Sequence, residues 1–289
     1  VVDKPRGPTS HDIVAQTRKL LGTRQVGHTG TLDPMATGVL ILLVGEATKL
    51  SSVLGADEKV YTARIQFGAS TDTDDALGTP LVTAPIGSGL LDRERVEQAL
   101  TVERDRREQT PPAFSAIKKN GQALYKQARR GVPVVAEPRA VIVKSLECLE
   151  IGSNYIDVQL HCAKGYYVRA LARDLGSTLG CPAHLSSLRR IRAGQFGIEH
   201  ALCWPPGSPP AITPLLEVAH RTLHCCELTE LGAARARQGK PLGIEHFVPG
   251  CMPDLGFERP MAWLFEGRLV ALGKWNDSAS LRVERGFNT

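Results

Sequence analysis

The sequence predicts an α+β protein built on a mixed, mostly antiparallel sheet, with a smaller β-rich region at its C-terminal end. Three observations carry this. Strand-like runs come in groups, with helices interspersed but not strictly alternating. Residues 141–151 and 155–162 read as a hairpin around Gly152-Ser153. Beyond about residue 226 the pattern changes to short strands broken by Gly and Pro. The 289 residues, 42% hydrophobic and 22% charged, suffice for one large domain or two.

Taken in order, residues 1–3 end a strand and Lys4-Pro5-Arg6-Gly7-Pro8 is a turn. The chain is expected to lack its natural first residues. Thr9 and Ser10 are N-cap candidates for a helix with Ile13, Val14, Thr17, Leu20 and Leu21 on one face, stopped by Gly22. A Gly-rich loop leads to an apolar run at 39–44, read as a buried strand, and 60–67 alternates in strand fashion. Residues 72–78 form an acidic loop, and 92–100 a short helix capped by Asp92. Residues 103–139 are basic, contain Pro111, Pro112, Pro133 and Pro138, and hold an expected helix at 122–130. They read as a surface insertion. An amphipathic helix at 168–179 turns Leu171, Ala172, Leu175 and Leu179 inward, and a strand through 188–196 follows. After a Pro-rich excursion at 204–214 come a helix at 227–237 and strands at 243–248, 260–265, 269–273 and 281–285. Two domains are expected, 1–225 and 226–289.

Several function classes fall away. The run 39–44 is far too short to cross a bilayer, and no signal segment precedes it, so a cytoplasmic protein without membrane contact is expected. Seven Cys lack Cys-x-x-Cys or zinc spacing, and read as free thiols in a reducing compartment. There is no P-loop, dinucleotide fingerprint or Gly-x-Ser-x-Gly elbow. The net charge is only +5. Its basic residues bunch, however, at 104–107, 118–119, 126–130, 189–192 and 235–240. Any one bunch is an ordinary solvated face; five together fit a polyanionic partner.

The most unusual stretch is Gly27-His28-Thr29-Gly30-Thr31-Leu32-Asp33-Pro34. Pro34 restricts Asp33 to extended geometry, and a carboxylate on a rigid loop suits a nucleophile or general base. By itself the stretch fits a turn aspartate better still. Arg169 falls in the first turn of the helix at 168–179, where the helix dipole disfavours a cation, so an acidic partner is expected; Asp33 is a candidate. Tyr61 opens a strand, where a tyrosine can stack on a base or simply cover the sheet. Thr71-Asp72-Thr73-Asp74-Asp75 has the carboxylates for a cation but not the EF-hand spacing, so a polar network is favoured over a metal.

Together these motifs resemble the TruB-type family of bacterial tRNA pseudouridine-55 synthases. The matching stretches run in the family's order: Asp3-Lys4-Pro5-x-Gly7, the loop ending in Asp33-Pro34, Ala36-Thr37-Gly38-Val39-Leu40, Lys59-x-Tyr61 and Thr71-Asp72-Thr73-x-Asp75. Gln109-x-Pro111-Pro112-x-Phe114-Ser115-Ala116-x-Lys118, Gly165-x-Tyr167-Val168-Arg169-x-Leu171-Ala172-Arg173-Asp174 and Leu188-Arg189-Arg190 complete them. The resemblance implies a pseudouridine-synthase catalytic domain and a small C-terminal PUA-like β-barrel. It implies isomerisation of a flipped-out uridine in the tRNA T-arm loop without cofactor or metal; a monomer is expected, since nothing in the sequence demands more. Asp33 would attack the uridine, Arg169 would pair with Asp33, and Tyr61 would stack on the base and take part in proton transfer at C5. His28 would fill the gap left by the flipped nucleotide, Leu188 would wall the pocket, and Lys4, Asp75 and Tyr167 would line the substrate site. The insertion would clamp RNA through Lys118 and Arg130, and the C-terminal domain would hold the acceptor end. A silent RNA-binding protein on this scaffold, and a guide-dependent synthase, are the competing readings.

Overall fold

The computed structural model describes residues 1–114, 118–119, 122–123, 136–251, 259–275 and 280–288. They form two compact units: Val1–Ser10, Thr31–Leu40 and Ala56–Trp204, and His11–Gly30, Ile41–Gly55 and Pro205–Thr289.

The first unit is organised by one mixed sheet. Its strands lie in the order Val143–Ile151, Tyr155–Cys162, Lys59–Phe67, Ala183–Ala193, Thr37–Leu40, Val2–Lys4, Leu202–Cys203, and Phe196–Gly197 turns back on the end of Ala183–Ala193. The first three pairings are antiparallel; Ala183–Ala193 runs parallel to Thr37–Leu40. The hairpin expected around Gly152-Ser153 is present. Period-two alternation is visible in Lys59–Phe67, where Ala63, Ile65 and Phe67 are buried and Thr62, Arg64 and Gln66 are half-exposed. Helices Arg93–Arg104 and Val168–Leu179 pack on this sheet and on each other, and Leu171, Ala172 and Leu175 are fully buried, as the sequence pattern requires. Gly180, at φ 74, ends the second helix in the left-handed conformation that glycine tolerates best.

In the second unit, Val26–His28 pairs with Leu42–Val44. A separate sheet has the order Cys225–Glu227, Met261–Phe265, Arg268–Trp275, Leu281–Gly286. Its core gathers around Trp263, with Leu228, Ala233, Leu242, Phe247, Val270 and Leu281. Helix Glu230–Arg237 starts at Thr229, whose hydroxyl accepts from the Gly232 N–H at 3.1 Å. Thr229→Ala is therefore expected to destabilise this unit by about 1 kcal/mol, read as a lower urea midpoint by tryptophan fluorescence.

Three expected elements are corrected. The apolar run 39–44 is two strands, Thr37–Leu40 and Leu42–Val44, in different sheets. An unbroken apolar run carries no mark of where pairing partners change. The strand expected at 188–196 begins at Ala183, because Ala183, His184, Leu185 and Ser187 pair with Lys59–Phe67 despite their weak strand propensity. Residues 243–248 are no strand: Ile244–His246 is a 3₁₀ turn in which the Gly243 N–H donates to His246 Nδ1 at 3.0 Å. The Pro-rich excursion gives way to helix Leu215–Thr222 directly after Pro214. The four described C-terminal strands form an open sheet; a closed barrel is not formed among the described residues. The helix expected at 122–130 lies outside the described residues except for Gln122–Ala123, a strand pairing with Lys118–Lys119.

Candidate active site

The loop carrying Asp33 is pinned by its neighbours. The buried Ser10 hydroxyl accepts from the Leu32 N–H at 2.8 Å and donates to the Leu32 carbonyl at 3.2 Å. The Gly7 N–H donates to the Pro34 carbonyl at 2.8 Å, and the Ala36 N–H to the Asp33 carbonyl at 3.0 Å. Asp33 thus has a fixed backbone on both sides, and its side chain remains 33% exposed.

Arg169 is the partner. Its Nε lies 2.9 Å from Asp33 Oδ2, and its Nη2 donates to Oδ1 at 3.4 Å. The guanidinium itself is buried, and three further oxygens hold it: the Thr73 carbonyl at 3.1 Å, the Phe114 carbonyl at 2.9 Å and Asp75 Oδ2 at 3.7 Å. The helix-dipole argument demanded an acid here, and two are present. Burying a guanidinium is tolerated only when its N–H groups are matched, and this set matches them.

The acidic loop is a network of hydrogen bonds. Asp75 is buried; its Oδ1 accepts from the Thr73 hydroxyl at 2.8 Å and the Leu77 N–H at 2.9 Å. Asp74, at φ 60, pairs with Arg173 at 3.2 Å, and burial pushes its carboxyl above the usual range. Arg173 also donates to the Thr110 carbonyl at 2.8 Å. Among the described residues no cluster of His, Cys, Asp and Glu has metal-binding geometry.

Tyr61 lies on the neighbouring part of the sheet. Antiparallel partners share a face, so Tyr61 stands beside Leu160 on one side and Arg190 on the other, and Ala63 beside Leu188. Burial raises the phenol pKa, Arg190 pulls it down by charge and a hydrogen bond, and Cys162 and Asp33 push it up. Lys59, two residues earlier, is buried and held near pKa 8, mainly by desolvation and then by Arg190; its ammonium donates to the Asp57 carbonyl.

The other expected residues fall as follows. Leu188 is buried on the Tyr61 face. Tyr167 precedes helix Val168–Leu179, and Gln109 grips its backbone twice, accepting from the N–H at 2.9 Å and donating to the carbonyl at 3.2 Å. Lys4 is fully buried, its ammonium donating to the Pro5 and Pro8 carbonyls at 2.8 Å each. His28 belongs to the second unit, edge-on to His11 with ring centroids 5.3 Å apart. Lys118 is described as backbone only, and Arg130 lies outside the described residues.

Sequence reasoning missed two residues. Gln109 was visible only as part of a longer motif. Arg190 was grouped with a basic surface patch, yet it is 2% exposed and its Nε donates to the Val39 carbonyl at 2.7 Å. Other members of the basic bunches are also engaged internally: Arg189 with Asp3 at 2.7 Å, Arg106 with Glu103 at 2.6 Å and Arg104 with Glu97 at 2.6 Å.

Comparison with known proteins identifies the family. The model of the TruB family pseudouridylate synthase N-terminal domain matches residues 18–168, and that of the tRNA pseudouridylate synthase B C-terminal domain matches 169–204. The tRNA pseudouridine synthase B of Aromatoleum aromaticum is 37% identical, over 100% of this chain and 92% of that protein. The chain belongs to the TruB family of pseudouridylate synthases. It is thereby an isomerase. The Geobacter sulfurreducens tRNA pseudouridine synthase B is 38% identical over 100% of this chain and 98% of its own. That of Mycobacterium sp. strain KMS is 42% identical over 88% of each. Among solved structures, a chain of a Cbf5-Nop10-Gar1 complex superimposes with TM-score 0.73 at 24% identity, covering 99% of this chain and 83% of that one. The fold is that of a pseudouridine synthase, with a mixed sheet at its centre. The two family models end at residue 204, before the sheet around Trp263 begins.

Proposed function

We propose that the protein isomerises uridine to pseudouridine at position 55 in the T-arm loop of tRNA, with Asp33 as nucleophile. The observation that carries this reading is the Asp33–Arg169 pair. A carboxylate one-third exposed is oriented by a buried guanidinium, and three further oxygens hold that guanidinium in place. A nucleophile must be reachable and rigid, and this one is both. A stacked uridine hides its reacting atoms, so the target leaves its stack to meet Asp33. Tyr61 stacks on the base and takes part in loss of the C5 proton; Leu188 walls the pocket, and Tyr167, Lys4 and Asp75 support it. His28 occupies the gap in the RNA loop. Neither cofactor nor metal enters the chemistry.

The substrate assignment draws on the printed names of the relatives, which are tRNA pseudouridine synthases. Residues 1–225 would form the catalytic domain, with 103–139 as an RNA clamp, and 226–289 a PUA-like RNA-binding domain for the acceptor end. The protein would act as a cytoplasmic monomer. The test is a tRNA transcript tritiated at uridine C5. Tritium release with wild-type protein alone, lost when only uridine 55 is changed to cytidine, is the expected result. Release unaffected by that change would refute the position. For the clamp, Lys118→Ala and Arg130→Ala are each expected to lower the slope of log affinity against log salt by about 0.7–0.9. Unchanged slopes in filter binding would remove both from the phosphate contacts.

A further inference from the structure

Arg190 is buried in the sheet that carries Tyr61, and its burial calls for a cause. A guanidinium has five donors, no acceptor, and a high cost of desolvation. Its Nε is satisfied by the Val39 carbonyl at 2.7 Å. What a neutral residue does not supply is charge beside the Tyr61 phenol, its direct cross-strand partner. The sheet is shaped to allow this. Gly38, at φ 102, lets its strand approach so closely that a Cβ there would overlap the Arg190 carbonyl, with the Arg190 nitrogen only 2.8 Å away. A register shift follows between Arg190 and Arg192, so the direct pairing with Tyr61 comes at the last residue before the irregularity.

We infer that Arg190 is a positioning residue for the isomerisation, acting through Tyr61: its guanidinium fixes the phenol oxygen as an acceptor, which leaves the hydroxyl proton directed to the substrate side. Because the cation can only donate, the phenol has one hydrogen-bond polarity instead of two. In the last step the C5–H bond breaks and its pair becomes the C5=C6 double bond. The C6=N1 pair returns to N1, N1 takes a proton from water, and the C5 proton passes to solvent. Arg190 steadies the phenol throughout and touches no substrate atom. The inference rests on Tyr61 having the role proposed above.

The protein contains five tyrosines, so ¹³C at Cζ gives a sparse spectrum, and Tyr61→Phe assigns the Tyr61 resonance. Arg190→Lys and Arg190→Gln are compared with wild type for that resonance, for tRNA affinity and for single-turnover tritium release. The resonance is expected to move in both variants. Release is expected to fall about 10-fold or more in Arg190→Gln and to recover partly in Arg190→Lys, with affinity kept within about 2-fold. In a Tyr61→Phe background, Arg190→Gln is expected to add less than about 2-fold. An unmoved resonance, or fully additive losses, would overturn the inference. In wild type alone, an Overhauser contact between the Arg190 guanidinium and the Tyr61 ring is also required, and its absence overturns the inference whether or not the variants fold. Wild-type protein that releases no tritium would instead refute the activity on which the inference rests.

Discussion

Asp33→Asn is expected to abolish tritium release from C5-labelled tRNA, by about 10⁴-fold or more, while tRNA affinity stays within about 3-fold. The substitution is nearly isosteric and removes only charge and nucleophilicity. The backbone pins remain, since Ser10, Gly7 and Ala36 bond to main-chain atoms of the loop. Arg169 loses its nearest charge but keeps the Thr73 and Phe114 carbonyls and Asp75, so the fold should tolerate the change. That separation gives the experiment its power. A variant that binds but does not release places Asp33 in the chemistry. Release near the wild-type rate would show that the ion pair is structural and that another group attacks the uridine. Arg169→Met is a useful companion, because it strands two carboxylates rather than one cation and should lower both activity and melting temperature.

How much was legible beforehand can be judged residue by residue. For the Asp33–Arg169 pair, elementary electrostatics asked only for an acid near an arginine in a first helical turn and offered Asp33 as a candidate; the family resemblance supplied the pairing. Helix Val168–Leu179 and the 143–162 hairpin followed from periodicity, a local property. Arg190 was misread because a sequence cannot tell a basic residue on a solvated face from one paired across strands. Its burial is decided by Gly38 and Tyr61, more than 120 residues away. The same reason explains the split of the run 39–44, whose halves differ only in their partners. Ile244–His246 was mistaken for a strand because Ile and Phe suggest one, while the Gly243–His246 hydrogen bond, which folds it into a turn, is a side-chain event. Lys4 is marked by the motif, and its ammonium is held by the Pro5 and Pro8 carbonyls, a backbone contact that the sequence does not show.

Gly38→Ala is expected to destabilise the protein by about 3–5 kcal/mol. Two costs combine. At φ 102 any side chain strains the backbone, and the new Cβ would also collide with the backbone of Arg190 rather than with a flexible side-chain end. Gly22→Ala separates them, since Gly22 has φ 62 but nothing within 4 Å of the methyl group it would gain; that change should cost only about 1–2 kcal/mol. The Gly38 change should lower the melting temperature of the first unit by roughly 10 °C, whereas Gly22→Ala, which falls in the second unit, should shift that unit's melting by a few degrees at most. If the two variants melted alike, the close approach of the strands Thr37–Leu40 and Ala183–Ala193 would not be the constraint. If Gly38→Ala melts early yet releases tritium at the wild-type rate well below its transition, the spacing serves stability alone. A rate lost at temperatures where the protein is still folded would tie the spacing to chemistry. The glycine would then matter because it sets how Arg190 meets Tyr61.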